Sequence, residues 1–437
     1  LIAKLEAYFQ FKHLNTNWRT EALAGLTTFI TMAYIVVVNP AILHDTGMPL
    51  AAVTAATCLA AAFGSILMGL FANYPIALAP GMGLNAYFTY TVVKGMGVPW
   101  QVALGAVFIS GCIFLVLTLC GIRQMILAAI PVELYAAVSG GIGLFIAFIG
   151  LRNSGLVVAN EATLVGVGNL RSPNAIIALS GLIITAVLLS RGIKAAILFG
   201  ILASAVIAAA LGQLHWQPTS FAFSDVTATM LQLNLKSGIK LGFFEIIFVF
   251  LFVDLFDNLG TLLAVGKAAG LIQSTGAERI PRLGRILTVD SIASIFSALV
   301  GTSTVTSYIE SAAGVGVGGR SGVTAIVTGC FFLLSLLALP LVAAIPSAAT
   351  APALITVGSL MMLSVTEIDW QSPVVAIPAF LTLIMIPLSF SIANGLALGF
   401  IAYTFVRVLR GEWRLVHWLV YLLTGLFMAR FAYLAGG

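Results

Sequence analysis

The amino-acid sequence predicts an all-α polytopic membrane protein, on three observations. Of 437 residues, 60% are hydrophobic and only 8% charged, where a soluble domain carries about 25% charged residues. Long runs such as 104–119 have no polar face, unlike a helix that meets water on one side. The mean hydropathy is +1.11, and the few basic residues gather on alternate loops.

A span needs about 20 apolar residues. Taken in order, continuous spans are predicted near 22–42, 50–71, 100–120, 134–151, 175–190 and 194–212. Further spans follow near 243–266, 285–300, 322–345, 350–365, 371–388 and 391–408. Two interrupted stretches, 74–93 and 302–318, bring the prediction to fourteen crossings. A last apolar segment, 415–435, spans the bilayer or lies on its surface. No signal peptide with a cleavage site is evident, so the first span is expected to act as its own insertion signal.

The interrupted stretches carry the most information. The first reads Asn73-Tyr74-Pro75-Ile76-Ala77-Leu78-Ala79-Pro80-Gly81-Met82-Gly83-Leu84-Asn85-Ala86, and the second runs from Thr302 through Glu310 to Gly314. A broken helix leaves bare N–H and C=O groups at membrane depth, tolerable only where protein or a wet cavity covers them. Two such breaks at corresponding places in two halves point to a binding site at the bilayer midplane. The halves follow from the longest linker, 213–242. The organisation expected is an N-terminal segment 1–21, a first seven-span repeat 22–212, the linker, a second seven-span repeat 243–409 and an extra hydrophobic segment 410–437. Seven is odd, so the repeats are expected to be inverted, with the break in the third crossing of each.

With a cytoplasmic N-terminus, the inner segments hold Lys4, Lys12, Arg19, Arg123, Arg191, Lys194, Lys267, Arg279, Arg282, Arg285, Arg320, Arg407, Arg410 and Arg414. The outer ones hold Lys94, Arg152, Arg171, Lys236 and Lys240, with Arg430 unassigned. The excess of basic residues inside supports this orientation and the treatment of both broken stretches as crossings. The location expected is a plasma membrane of the bacterial inner-membrane type.

Most acidic residues fall at segment ends, where solvation explains them: Glu6, Glu21, Asp45, Glu133, Glu161, Asp225, Glu278, Glu367, Asp369 and Glu412. Glu245 is close to a span end, and Asp290, one turn into its span, is placed to cap it or to pair with the Arg282/Arg285 loop. Asp254 and Asp257 lie mid-span, three residues apart and therefore on neighbouring positions of one helix face. Glu310 lies in the second break. A carboxylate at membrane depth is by default a functional residue, although each could also only pair with another protein group. The basic residues all fall near segment ends, so no cation is expected beside these three. Desolvation drives such a group toward its protonated form, which suits exchange of a coupled proton. A sodium site, needing several oxygen ligands, stays open as an alternative. Asn85 supplies an amide in the first break, and Thr302, Ser303, Thr304, Thr306 and Ser307 supply hydroxyls in the second. The glycines beside the breaks, Gly83 among them, suit a backbone that approaches a ligand or close helix packing.

Other chemistries are not supported. Cys58, Cys112, Cys120 and Cys330 form no CxxC pair, and His13, His44, His215 and His417 form no metal-binding cluster. No disulfide, metal or cofactor is expected beyond the coupling ion. The net charge of +5 follows the membrane topology and implies no nucleic-acid partner.

The first interrupted run resembles a signature of the AzgA-like purine permeases of the nucleobase–ascorbate transporter superfamily. Phe252-Val253-Asp254-Leu255-Phe256-Asp257-Asn258-Leu259-Gly260-Thr261, Tyr308-Ile309-Glu310-Ser311-Ala312-Ala313-Gly314 and Arg19–Phe29 are similar to others. The resemblance runs essentially end to end. It implies fourteen spans in two inverted repeats, with a short strand and a half-helix in spans three and ten. It implies a core domain of spans one to four and eight to eleven, and a gate domain of the rest that often mediates a homodimer. The expected function is import of adenine, guanine or hypoxanthine by proton symport with elevator-like alternating access. Asn85, Gly83, Asp257, Glu310, Thr306 and Tyr308 are the expected substrate residues. Asp257, Glu310 and Asp254 are the candidates for proton coupling. The segment 415–435 goes beyond this plan.

A purine suits these residues: carboxylates accept from ring N–H groups, and Phe29, Tyr34, Tyr87, Phe88, Phe252, Phe256 or Tyr308 could stack on the ring face. The alternative in transport is a uracil/xanthine-type symporter. An anion carrier would not keep two membrane carboxylates, and an intramembrane enzyme would need a nucleophile–base or metal constellation that the sequence lacks.

Overall fold

The computed structural model describes residues 2–213, 224, 227–235, 241–270, 280 and 282–435. Most of the predicted linker lies outside the described residues, as do His215, Asp225, Lys236, Lys240, Glu278 and Arg279 and the side chains of Glu245 and Lys267. The chain is mostly helical. The first predicted span is two helices, α1 (Trp18–Met32) and α2 (Ile35–His44). Pro40 lies inside α2 and cannot donate to the carbonyl of Val36. Helix α3 (Leu50–Leu67) is followed by a π-helical turn, Met68–Ala72. Strand β1 (Leu78–Pro80) leads into α4 (Met82–Ala86), which continues as a π-helix to Gly95. Next come α5 (Trp100–Leu119), the short α6 (Ile122–Ala129) and α7 (Val132–Asn153). An exposed hairpin, β2 (Val157–Asn160) with β3 (Leu164–Val167), was not foreseen from sequence.

Helices α8 (Pro173–Ser190), α9 (Ala196–Ala210), α10 (Leu241–Ala268) and α11 (Leu283–Val300) follow. Strand β4 (Val305–Ser307) leads into α12 (Ser311–Val317). The chain closes with α13 (Gly322–Leu334), α14 (Ser347–Met361), α15 (Pro373–Leu388), α16 (Ile392–Leu409) and α17 (Trp418–Ala435). Among the described residues, 10 helical stretches are long and apolar enough to cross a membrane. Ala196–Ala210, Pro373–Leu388 and Trp418–Ala432 are shorter apolar helices.

The two breaks meet in space. Strands β1 and β4 pair antiparallel, Leu78 opposite Ser307, Ala79 opposite Thr306 and Pro80 opposite Val305. Their flanks extend the pairing: Gly81 N donates to Thr304 O at 2.9 Å and Tyr308 N to Ala77 O at 3.1 Å. Serine side chains satisfy the remainder. Leu78 N donates to Ser65 Oγ at 2.9 Å, Ser65 Oγ donates to Leu78 O at 3.0 Å, and Ala77 N donates to Ser311 Oγ at 3.0 Å. A buried amide left unpaired costs about 1–3 kcal/mol, so each break is tolerable because the other exists.

Packing divides the helices into two groups. Helices α2, α3, α10 and α11 contact the paired strands, and α1, α5 and α13 pack with that group. Helices α7–α9 and α14–α16 pack mainly on one another. The C-terminal α17 is held to α16 by a 2.7 Å hydrogen bond between Thr404 and Thr424, and its Phe427 packs against Phe248, Phe252 and Phe400.

Two expectations about end-of-segment acids are overturned. Glu21 is fully buried, not solvated. Its carboxylate accepts from Arg320 N at 3.0 Å, Ser321 N at 3.1 Å, Thr324 N at 3.2 Å and Thr324 Oγ1 at 2.6 Å. The free N–H groups that open α13 need acceptors, and the dipole there favours an anion. Asp290 does not pair with the Arg282/Arg285 loop. Arg282 instead donates to Ala72 O and Asn73 O, both at 3.1 Å, and Asp290 is paired with Arg123.

Glu21→Ala should therefore lower stability by about 1.5–3 kcal/mol, the range for hydrogen bonds to a charged group, and Glu21→Gln by roughly half as much. Thermal unfolding in detergent measures both. Equal melting temperatures for parent and Ala variant would refute the anchoring role of Glu21.

Candidate functional site

A cavity of about 540 Å³ lies between the two helical groups. One wall comes from the paired strands and their neighbours: Tyr34, Met82, Gly83, Phe256, Asp257, Ser307, Tyr308 and Glu310. The facing wall comes from α7, α14 and the 3₁₀ turn Met362–Glu367 that follows it, and includes Tyr135, Ser139, Met361 and Ser364. The mouth is beside Ile309, 54% exposed, and Leu363, 67% exposed. A smaller hollow of about 130 Å³, lined by Asp45, Asn153 and Thr350, holds none of the predicted site residues.

The half-helices aim the functional groups. Tyr34, at the break between α1 and α2, donates to Glu310 Oε1 at 2.6 Å. Tyr308 Oη donates to Pro80 O at 2.5 Å, tying the tip of one break to the other. Asp257 stands close to this junction. A Cβ added at Gly81 would lie 2.6 Å from Thr306 Cγ2 and 3.6 Å from Asp257 Oδ2. Asp257, Glu310 and Glu367 line the cavity, and no Lys, Arg or His is among its lining residues. An arrangement of carboxylates, hydroxyls and aromatic rings can accept hydrogen bonds from a flat polar ligand and cover its faces.

Of the six residues predicted from sequence to bind substrate, Gly83, Asp257, Tyr308 and Glu310 line the cavity. Asn85 and Thr306 do not. Asn85 is fully buried, with Oδ1 taken by the Ser303 hydroxyl and Nδ2 without a partner. Thr306 is buried, with its side chain and that of Asp257 both beside Gly81. Among the predicted aromatics, Tyr34, Phe256 and Tyr308 reach the cavity. Phe29 packs on Phe331 and Phe332 instead, and Tyr87 and Phe88 pack on Phe250.

The expectation that no cation neutralises the membrane carboxylates fails for Asp254. Arg123 is fully buried and bridges Asp290 at 2.7 Å and Asp254 at 3.3 Å. Asp254 is accordingly outside the cavity wall. Proximity of Arg123 to the end of a predicted span hid this, because the turn after α5 brings Arg123, at the start of α6, against acids of α10 and α11. Tyr135, Ser139, Ser364 and Glu367 were also missed as lining residues. Each lies on a helix whose apolar neighbours make lipid contact and cavity lining indistinguishable in sequence.

The comparisons agree with this architecture. A permease family (Xan_ur_permease) matches residues 19–398. The chain is 50% identical over 433 residues to a putative permease of Methanocaldococcus jannaschii, covering 99% of each chain. It is 47% identical to the adenine permease AdeP of Escherichia coli, covering 94% of this chain and 92% of that one. It is 45% identical to the guanine/hypoxanthine permease PbuG of Bacillus subtilis, covering 98% and 100%. In three dimensions it is similar to the transmembrane domain of the cyanobacterial bicarbonate transporter BicA, with a TM-score of 0.63 at 15% identity, covering 88% of this chain and 97% of that one. At that identity only the fold is shared. The family match, the near-complete relatives and the apolar helices place the chain in this permease family: it is a multi-pass membrane transporter of the AzgA-like branch of the nucleobase–ascorbate transporter superfamily, and not an enzyme.

Proposed function

We propose that the protein imports purine nucleobases, adenine, guanine or hypoxanthine, by proton symport. The observation that carries the reading is a cavity walled by Asp257 and Glu310, with aromatic rings around them and no basic residue among its lining. A purine presents ring N–H donors to carboxylates and flat faces to Tyr34, Phe256 or Tyr308. Relatives named as adenine and guanine/hypoxanthine permeases support this substrate class. Two carboxylates without a protein cation can take and release a proton as the cavity opens and closes, which supports proton coupling.

The reading includes fourteen crossings in two inverted repeats, the twelve continuous ones plus the two that carry β1 and β4. The helical group around β1 and β4 is the core, and the group of α7–α9 and α14–α16 is the gate, which is also the surface for a homodimer. The cavity lies between them, as elevator-like alternating access requires. Its mouth is beside Gly260 and Glu367, the side assigned to the cytoplasm by the basic loops. At the other end Tyr90 Oη donates to Asp45 Oδ2 at 2.8 Å and accepts from Asn153 Nδ2 at 3.1 Å, and Thr91 Oγ1 donates to Phe390 O at 2.7 Å. The bonds to Asn153 and Phe390 link the two groups on the closed side.

Uptake of labelled adenine should be competed by guanine or hypoxanthine more strongly than by xanthine or uracil. It should be abolished by an uncoupler and indifferent to sodium. Stronger competition by uracil or xanthine would favour the pyrimidine/xanthine-type alternative, and sodium dependence would replace the proton.

Glu310 is assigned to the purine edge and Asp257 to the coupled proton. Glu310→Gln should lose equilibrium binding by calorimetry. Asp257→Asn should keep measurable binding and lose proton-driven accumulation. Normal pH-dependent accumulation by Asp257→Asn, or unchanged binding by Glu310→Gln, would reject the respective assignment.

Sidedness is read with Ser364→Cys in a chain whose four native cysteines are replaced. Impermeant maleimide should label it faster from the cytoplasmic face. Adding Tyr90→Phe, which removes the two bonds of the Tyr90 hydroxyl and leaves that of Thr91, should raise labelling from the outer face. Identical rates with and without Tyr90 would refute its closing role.

A further inference from the structure

Behind the cavity wall lies an ion cluster whose charged residues are not among those that line the cavity. Arg123 Nη2 donates to Asp290 Oδ2 at 2.7 Å and to Asp254 Oδ2 at 3.3 Å. Its Nη1 donates to Leu287 O and Ser291 Oγ, both at 3.3 Å, and its guanidinium lies 4.0 Å from the centre of the Phe114 ring. All three charged side chains are fully buried. The other oxygen of each carboxylate is taken by one side chain: Asn258 Nδ2 donates to Asp254 Oδ1 at 3.0 Å and to Asp290 Oδ1 at 2.7 Å. Both amide hydrogens are then used. The carboxamide has one allowed orientation, because the flipped one would set its oxygen against two carboxylates. Its Oδ1 is left facing β4, where it accepts from Ser307 N at 2.9 Å.

We propose that Asn258 is a positioning residue for the substrate site, and that Arg123, Asp254 and Asp290 serve to fix its carboxamide. Ser307 lines the cavity, and Tyr308 and Glu310 follow it directly. Holding the Ser307 amide therefore sets the start of the segment that carries the Glu310 carboxylate. A buried ion cluster contributes little net stability over an apolar replacement, and its best-attested use is to impose one register. Here the register imposed is that of β4 against α10. Asp254 is thereby a fixed strut and not a carrier of the coupled proton. The inference rests on the cavity being the substrate site, but the geometry it tests does not.

The test is hydrogen–deuterium exchange on the ligand-free protein, with adenine binding measured beside it. Asn258→Ala should speed exchange in peptides covering 303–310 and leave those from α15 and α16 unchanged. Arg123→Lys keeps the charge but loses the planar fork that spans both carboxylates. It should speed exchange in the same 303–310 peptides although Arg123 does not touch them. Adenine dissociation constants should rise by roughly threefold to tenfold in both variants, the loss of about one hydrogen bond's positioning. Asp254→Asn should keep proton-driven accumulation within about threefold, since one carboxylate still pairs with Arg123. Unchanged exchange at 303–310 in Asn258→Ala, or in Arg123→Lys an effect confined to peptides containing residues 123, 254 and 290, overturns the proposal. So does loss of proton coupling with retained binding in Asp254→Asn. Because exchange is read without ligand, a parent that bound no purine would count against the transport reading alone and leave this one to be decided by exchange.

Discussion

The structure depends on the pairing of two breaks. Pro75 and Pro80 in one half, and the hydroxyl-rich run from Thr302 in the other, prevent a continuous helix at membrane depth. Each leaves backbone groups that hydrocarbon cannot solvate. The antiparallel pairing of Leu78–Pro80 with Val305–Ser307 satisfies them mutually, helped by Ser65 and Ser311. Two stretches more than 200 residues apart are thereby committed to one place. The half-helices that start there, Met82–Ala86 and Ser311–Val317, bring Gly83 and Glu310 to a shared cavity.

Around this junction, charge is handled in two ways. Asp254 and Asp290 share Arg123 and both hydrogens of the Asn258 amide, so these carboxylates have their partners within the protein. Asp257 and Glu310 face an open cavity whose lining holds no cation. Asp254 and Asp257 sit three residues apart on one helix, yet one faces an arginine and the other the cavity. The difference comes from what lies on each side of α10, with α5 and Arg123 of α6 on one and strand β4 and α7 on the other. The same separation explains how one wall of the cavity can be held rigidly while the opposing wall, from α7 and α14, belongs to a different packing group.

Much of this was legible in the sequence. The apolar runs locate the helices because helices of this length have few other uses. The breaks are visible because proline and clustered glycine have few roles inside a span. Asp257 and Glu310 stand out because an acid in an apolar run must have a reason to be there. The AzgA-like motifs then led to the same family that the relatives at 45–50% identity show.

What only the tertiary structure decided concerns partners. Nothing local to Arg123 says that a residue at the end of a predicted span would lie fully buried against two aspartates from α10 and α11. Nothing local to Glu21 says that its carboxylate would cap a helix 300 residues away. Asn85 reads as a ligand in sequence but bonds to Ser303, and Tyr135, Ser139 and Ser364 read as lipid-facing or packing residues but line the cavity. The sequence by itself determined the solvent of each segment, the breaks and the residue types too costly to bury without purpose. Which polar group meets which was decided by the fold. Burial cost is a property of one residue and its neighbours along the chain, whereas a hydrogen-bond partner is a property of the packed whole.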